Sequence, residues 1–139
     1  MKLFLDTSVL LAGCASTTGA SSEIFRRAKS QGWSLIITPY VIVEVETNLV
    51  DLTPEAQSRW ETLRPSLDLH DDIFTVDRPV IFGPAKDRPI IFGALAWADV
   101  LLTLDRADFG PIMGKAFYGL RILTPGMFLV QERAGGRLV

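Results

Sequence analysis

The chain of 139 residues holds a single cysteine, Cys14, and a single histidine, His70. One cysteine excludes an intramolecular disulfide and any zinc site built from several thiolates; as a small apolar residue, Cys14 reads as core. One histidine, set in the polar stretch DLHDDI, leaves a serine or cysteine hydrolase without a usable base. An excess of positive charge is missing as well. With 14 Lys and Arg against 16 Asp and Glu, the formal net charge is −2, and the overall composition carries no nucleic-acid footprint. Apolar runs stay short of the ~18 residues that a membrane span needs. The opening MKLFLD has neither the apolar segment nor the small-residue cleavage site of a signal peptide, which points to a cytoplasmic protein. Repeats and low-complexity tracts are absent too. What remains is a globular composition, 48% hydrophobic and 22% charged, at a length that fits one domain over residues 1–139.

Short apolar runs alternate with longer stretches of helical period, the pattern of a parallel sheet covered on both faces. KLFL reads as the first strand, with a helix from about Ser8. ASTTGASS is a loop, and SEIFRRAKS a second helix with Ser21 or Ser22 as its cap. SLII is the second strand. TPYVIVEVETNLV carries two signals, because Thr38 and Pro39 suit a cap and first turn while VIVEVE alternates as a strand does. It is read as a helix, since a strand lying parallel to SLII would need a longer connection. TPEAQSRWETL is a helix capped by Thr53. Between Leu67 and Lys86 only IFTV suggests a strand. DRPIIFGALAWA then reads as a helix, DVLLTL as a strand, DRADF as a short helical turn, LRIL as the last strand and GMFLVQERA as the final helix. The tail GGRLV is expected to fray. The fold class is α/β, a three-layer α/β/α sandwich around a mostly parallel sheet of four or five strands.

The acids fall at telling places in that frame. Open parallel sheets bind ligands outside the carboxyl ends of their strands, and both Asp6, after KLFL, and Asp105, after VLLTL, stand at such ends. Asp6 is wedged between apolar runs, so it must be capped, paired or bound to a cation. Asp99 precedes its strand and falls roughly 16 Å away at the opposite edge, which removes it from any shared site. Asp87 stands where an N-cap for the next helix would stand, although a carboxylate with two oxygens can cap and bind a metal together. Glu44, between Val43 and Val45, needs a partner. The tryptophans Trp33, Trp60 and Trp97 lie in amphipathic elements and read as core. Arg26, Arg27 and Lys29 form a small basic patch on the second helix.

DTSVLLAG, VIVEVETNL, KDRPIIFGALAWADVLLTLDRADF and LRILTPGMFL, in that order and over nearly the whole chain, resemble the PIN-domain family, the fold of the VapC-type toxin ribonucleases. The resemblance implies acidic residues gathered at one sheet edge around one or two Mg²⁺ or Mn²⁺ ions for hydrolysis of RNA by metal-activated water, leaving 5′-phosphate and 3′-hydroxyl ends. Carried across by position, the catalytic acids are Asp6, Glu44, Asp87 and Asp105, with Asp108 as a further metal ligand. Glu46 competes with Glu44 for the helix position, and the stretch from Leu67 to Lys86 aligns with no motif. Ser8 and Thr103 match hydroxyl positions that steady the carboxylates. Carboxylate oxygens without thiolates or paired imidazoles favour Mg²⁺ or Mn²⁺ over zinc. Such ions also reverse the local sign, so that Lys86, Arg88 and Arg106 beside the acids become candidate contacts for RNA phosphates. The resemblance further implies a homodimer and a small antitoxin partner, with no membrane. A haloacid-dehalogenase phosphatase would need a second acid where Ser8 stands, and a receiver domain an acidic pair that LFLDTS lacks. The alternative from another class is a non-catalytic PIN-like module that binds RNA or protein.

Overall fold

Leu3, Phe4 and Leu5 are all fully buried. Successive strand side chains point to opposite faces of a sheet, so three consecutive buried residues require cover on both sides. Val100, Leu101 and Leu102 are buried in the same way. These runs form β1 (Lys2–Leu5) and β4 (Val100–Leu102), paired in parallel at the centre of the sheet. The structure is a computed structural model and describes residues 1–75 and 80–138. Around the central pair the sheet adds β2 (Ser34–Ile37), β3 (Asp68–Leu69), β5 (Ala116–Phe117) and β6 (Leu120–Leu123), in the order β3-β2-β1-β4-β6-β5. Among the described residues only β5 runs antiparallel to its neighbour. The three-layer arrangement is the one the sequence implies. Its sheet has six strands because two-residue edge strands, too short to leave a periodic signal, extend the four longer ones.

The third strand in the chain is Asp68–Leu69, not IFTV. Ile73, Phe74 and Thr75 belong to no strand, and Val76 lies outside the described residues. Helices α1 (Thr7–Ala15), α2 (Ala20–Gln31), α3 (Pro39–Leu49), α4 (Pro54–Leu63), α5 (Arg88–Trp97), α6 (Arg106–Phe109) and α7 (Pro125–Ala134) complete the layers. In α3 the buried residues are Val41, Ile42, Val45 and Leu49, a helical stripe, so the alternation of VIVEVE is incidental. Thr53 caps α4 as expected, its hydroxyl accepting from Ala56 N at 3.2 Å. The cap of α2 differs. That helix starts after Gly19, while Ser21 and Ser22 are buried within it and the Ser22 hydroxyl donates to the carbonyls of Gly13 and Ser16. Gly93 lets α5 lie close over β1: a Cβ there would meet Phe4 Cε2 at 3.0 Å. Trp33 and Trp60 are core, Trp33 lying edge-on to Phe128 with ring centroids 5.0 Å apart, whereas Trp97 is half-buried beside His70. Among the described residues no helix is long and apolar enough to cross a membrane.

The tail does not fray through Leu138, which is buried in the core. Glu132 is almost wholly buried, and one of its carboxylate oxygens accepts from Arg137 Nε at 2.7 Å. The other has no hydrogen-bond partner among the described residues. Because the buried charge relies on Arg137, Arg137→Ala should lower stability by about 1–3 kcal/mol. Urea unfolding reads this directly, and an unchanged midpoint would show that the tail is not anchored in this way.

Candidate metal centre

At the C-terminal ends of β1 and β4 the ladder runs one residue further on each strand. Asp6 N donates to Leu102 O at 3.0 Å, and Thr103 N donates to Leu123 O at 3.0 Å. The sheet itself therefore fixes both side chains at the edge where parallel α/β folds bind ligands. Asp6 Oδ1 accepts from Thr7 N at 2.8 Å and so caps α1. Asp6 Oδ2 accepts from the Thr103 hydroxyl at 2.7 Å and from the Ser8 hydroxyl at 3.0 Å. Those hydroxyls also serve the neighbouring turn, Thr103 Oγ1 accepting from Asp105 N and Ser8 Oγ from Leu104 N, each at 3.0 Å. Ser8 and Thr103 thus each join the Asp6 carboxylate to the Leu104–Asp105 turn. Burial nevertheless raises the Asp6 pKa against these hydrogen bonds, and the Asp105 charge pushes the same way.

From α3 comes Glu44, whose Oε1 accepts from the Thr7 hydroxyl at 2.8 Å. Glu46, two residues on and about 200° around the helix, accepts instead from Trp60 Nε1 and Arg64 on the side of α4. Glu44 is therefore the acid that faces this edge. Its pKa is raised by burial and by the Asp6 charge.

Asp105 caps the short α6 by accepting from Asp108 N at 3.1 Å. Asp87 ends a 3-10 turn, Ala85–Asp87, directly ahead of α5. Its expected alternative role does not hold, because the side chain makes no cap hydrogen bond. Asp87 Oδ2 is buried and finds no donor among the described residues. Asp108 faces it instead. One oxygen from each of Asp87, Asp105 and Asp108 lies within 4.8 Å of the others, a spacing at which three carboxylates can share a cation. Asp6 and Glu44 fall outside that set of three and border it through the Thr7 and Thr103 hydroxyls. Burial first, then the Asp108 carboxyl, pushes the Asp87 pKa up to about 7. Asp108 shifts down, under the influence first of the facing Asp87 carboxyl and then of Lys86.

Of the basic residues, Lys86 places its ammonium 3.2 Å from Asp108 Oδ2. Arg88 donates to Phe82 O at 3.3 Å, and Arg106 leans on Met113 Sδ at 3.7 Å. In the other patch Arg27 pairs with Glu23, and Arg26 donates to Thr17 O. Tyr40 escaped the sequence reading. Its hydroxyl donates to Lys86 O at 2.7 Å, and its backbone N–H is held by Asp72 at 3.1 Å, so α3 is tied to the turn that carries Asp87. The available signal was its place one helical turn before Glu44, on the same face. Asp72, from the stretch without periodicity, had none.

No protein-family model and no curated protein matches the sequence. Among solved structures, a chain in the crystal structure of VapBC2 from Rickettsia felis bound to a DNA fragment from their promoter matches with a TM-score of 0.60 at 15% identity. The match covers 88% of this chain and 97% of that one. At this identity the likeness establishes the fold, which is the PIN-like sandwich that the ordered motifs imply.

The crowded Asp87 sets a pH dependence. Its folded pKa of about 7 lies above the ordinary 3.8, so between those values the folded protein holds a proton that the unfolded chain has lost. Stability then falls as pH rises through that window. Raised Asp6 and Glu44 act in the same direction, while the lowered Asp108 acts only below the window. Metal-free protein should lose thermal midpoint from about pH 4 to about pH 7. Asp87→Asn should flatten the slope and Mn²⁺ should oppose it; a midpoint that climbs through the window in calorimetry would contradict this reading.

Proposed function

We propose that this chain is a divalent-metal-dependent endoribonuclease of the VapC type, a single PIN-like domain over residues 1–139 that hydrolyses RNA phosphodiester bonds. The observation that carries the reading is Asp87 Oδ2, buried without a donor among the described residues and facing Asp108, with an Asp105 oxygen in the same cluster. Carboxylates so placed tolerate one another only by sharing a proton or a cation, and a set of oxygens alone suits a hard divalent ion. Asp87, Asp105 and Asp108 would hold one or two Mg²⁺ or Mn²⁺ ions, with Asp6 and Glu44 as the acids that complete the site. When bound, such an ion supplies charge neutralisation and Lewis acidity toward water and phosphodiester.

The chain's own residues do the positioning. Ser8 and Thr103 fix both the Asp6 carboxylate and the Leu104–Asp105 turn, so these acids hold a common orientation as substrate arrives. Thr7 does the same for Glu44. Lys86, exposed beside Asp108, offers a charge to a neighbouring RNA phosphate, as do Arg88 and Arg106. In the overall reaction water adds to phosphorus and the P–O3′ bond breaks, giving 5′-phosphate and 3′-hydroxyl ends. A cytoplasmic toxin held by a small antitoxin, and dimeric through apolar surface such as Val43 and Val50 on and just after α3, fits the likeness to a VapBC complex.

Purified protein with Mn²⁺ should cleave single-stranded RNA, and EDTA should stop it. Asp87→Asn should lower the rate by about 100-fold or more, and Thr103→Val by about 10- to 100-fold through weakened metal binding. Equal cleavage by the wild type and Asp87→Asn would mean that the activity belongs to a contaminant, leaving the non-catalytic module in its place.

A further inference from the structure

Beside the carboxylate edge lies a second cleft, ≈ 380 Å³ in volume, whose character is opposite. Arg106 is the one charged residue that lines it among the described residues, and no acid does. Two helices begin on its wall. The 12-residue α2 enters at Gly19 and Ala20 with no side-chain cap, so the first-turn amides keep their partial positive charge uncompensated. Glu23, the acid of that first turn, is engaged by Arg27 and Arg133. The 10-residue α7 enters at Thr124 and Gly126.

An observation independent of the helix ends also points to a ligand. Ser21 is only 5% exposed, lines the cleft, and its hydroxyl has no hydrogen-bond partner among the described residues. Thr124 is buried to the same degree; its oxygen accepts from Met127 N at 3.1 Å, while its hydroxyl proton has no acceptor among the described residues. Polar groups turned inward normally find partners, and Ser21 and Thr124 bring two hydroxyl donors to a lining whose one charged side chain, among the described residues, is the Arg106 guanidinium. Gly126 leaves the backbone bare there, since an added Cβ would meet nothing nearer than Thr124 Oγ1 at 4.0 Å.

We propose that this cleft is a phosphate subsite that seats an RNA phosphodiester flanking the bond to be cleaved. It rests on the ribonuclease reading for its ligand. Leu104 and Arg106 line the cleft on either side of Asp105 in the chain, and Leu104 N donates to the Ser8 hydroxyl that holds Asp6. A strand crossing the acids therefore passes this wall. The phosphate accepts from Arg106, Ser21, Thr124, the first-turn amides of α2 and the Gly126 amide of α7, where Pro125 has no N–H and Met127 N is held by Thr124, contacts that fix register without reading sequence.

The test is an amide NMR titration of metal-free protein with the dinucleoside monophosphate UpU, with inorganic phosphate as a second probe. UpU should shift the amides of Ala20, Ser21, Ser22 and Gly126 saturably, and Arg106→Gln and Gly126→Ala should each weaken it by about three- to tenfold. Gly126→Ala places alanine in a first turn with room for it, and its thermal midpoint checks that it folds. In Mn²⁺-dependent cleavage the same variants should raise KM by a similar factor and leave kcat near the wild-type value. Unmoved amides, or shifts with inorganic phosphate but not UpU, would overturn the subsite. Loss of the ribonuclease reading shows separately, as cleavage indifferent to EDTA and Asp87→Asn, whereas metal-dependent cleavage with unaltered KM in both variants removes the subsite alone.

Discussion

Like charges brought to one edge of a sheet and taken out of water set the terms for everything else in this molecule. Asp6, Glu44, Asp87, Asp105 and Asp108 approach from β1, α3, the turn before α5 and the turn after β4. Each desolvated carboxylate disfavours its own ionised form and that of its neighbours, which is why Asp6, Glu44 and Asp87 all shift upward. A fold tolerates such an arrangement only if the free energy lost is offset elsewhere. Here the offset comes from a sheet core whose central strands are buried on both faces.

The acids are held apart from collapse by hydroxyls. The Ser8 and Thr103 hydroxyls each bridge Asp6 to a backbone amide, while Thr7 holds Asp6 through its N–H and Glu44 through its hydroxyl, so Asp6 cannot turn without disturbing α1, the Leu104–Asp105 turn or Glu44. A hydroxyl suits this role because it donates to a carboxylate and still accepts from a backbone amide. Tyr40 extends the same logic to the turn that carries Lys86 and Asp87. Just beyond, the surface changes sign, from a carboxylate edge to a cleft of amides, hydroxyls and one guanidinium. A polyanion bound over both would meet a proposed cation on one side and fixed dipoles on the other.

Much of this was legible in the chain. Apolar runs such as KLFL and SLII, bounded by caps and turns, located the longer strands, since a strand buried on both faces must be continuously apolar. The acids after KLFL and VLLTL could be assigned to one edge because parallel strands point their carboxyl ends the same way. Helix α3 was read correctly from its cap and connection against a misleading alternation. The edge strands Asp68–Leu69 and Ala116–Phe117 were not visible, because two residues have no period. Ser21 and Ser22 looked like caps and are buried inside α2, since cap preference says nothing of which polar residue the fold turns inward. The tail looked frayed because the partner of Arg137, Glu132, offers its carboxylate only once α7 is docked.

By itself the sequence determined the class of fold and placed Asp6 and Asp105 at one sheet edge, because both depend on periodicity and on position relative to strand ends, which are local properties. Tertiary structure alone decided between Glu44 and Glu46, through which helix face meets Thr7 and which meets Arg64. It alone stripped Asp87 of its expected capping role and set it against Asp108. It alone brought the first turns of α2 and α7 to one wall with Arg106. Such distinctions rest on distances between residues far apart in the chain, and no local pattern encodes a distance until the chain has closed upon itself.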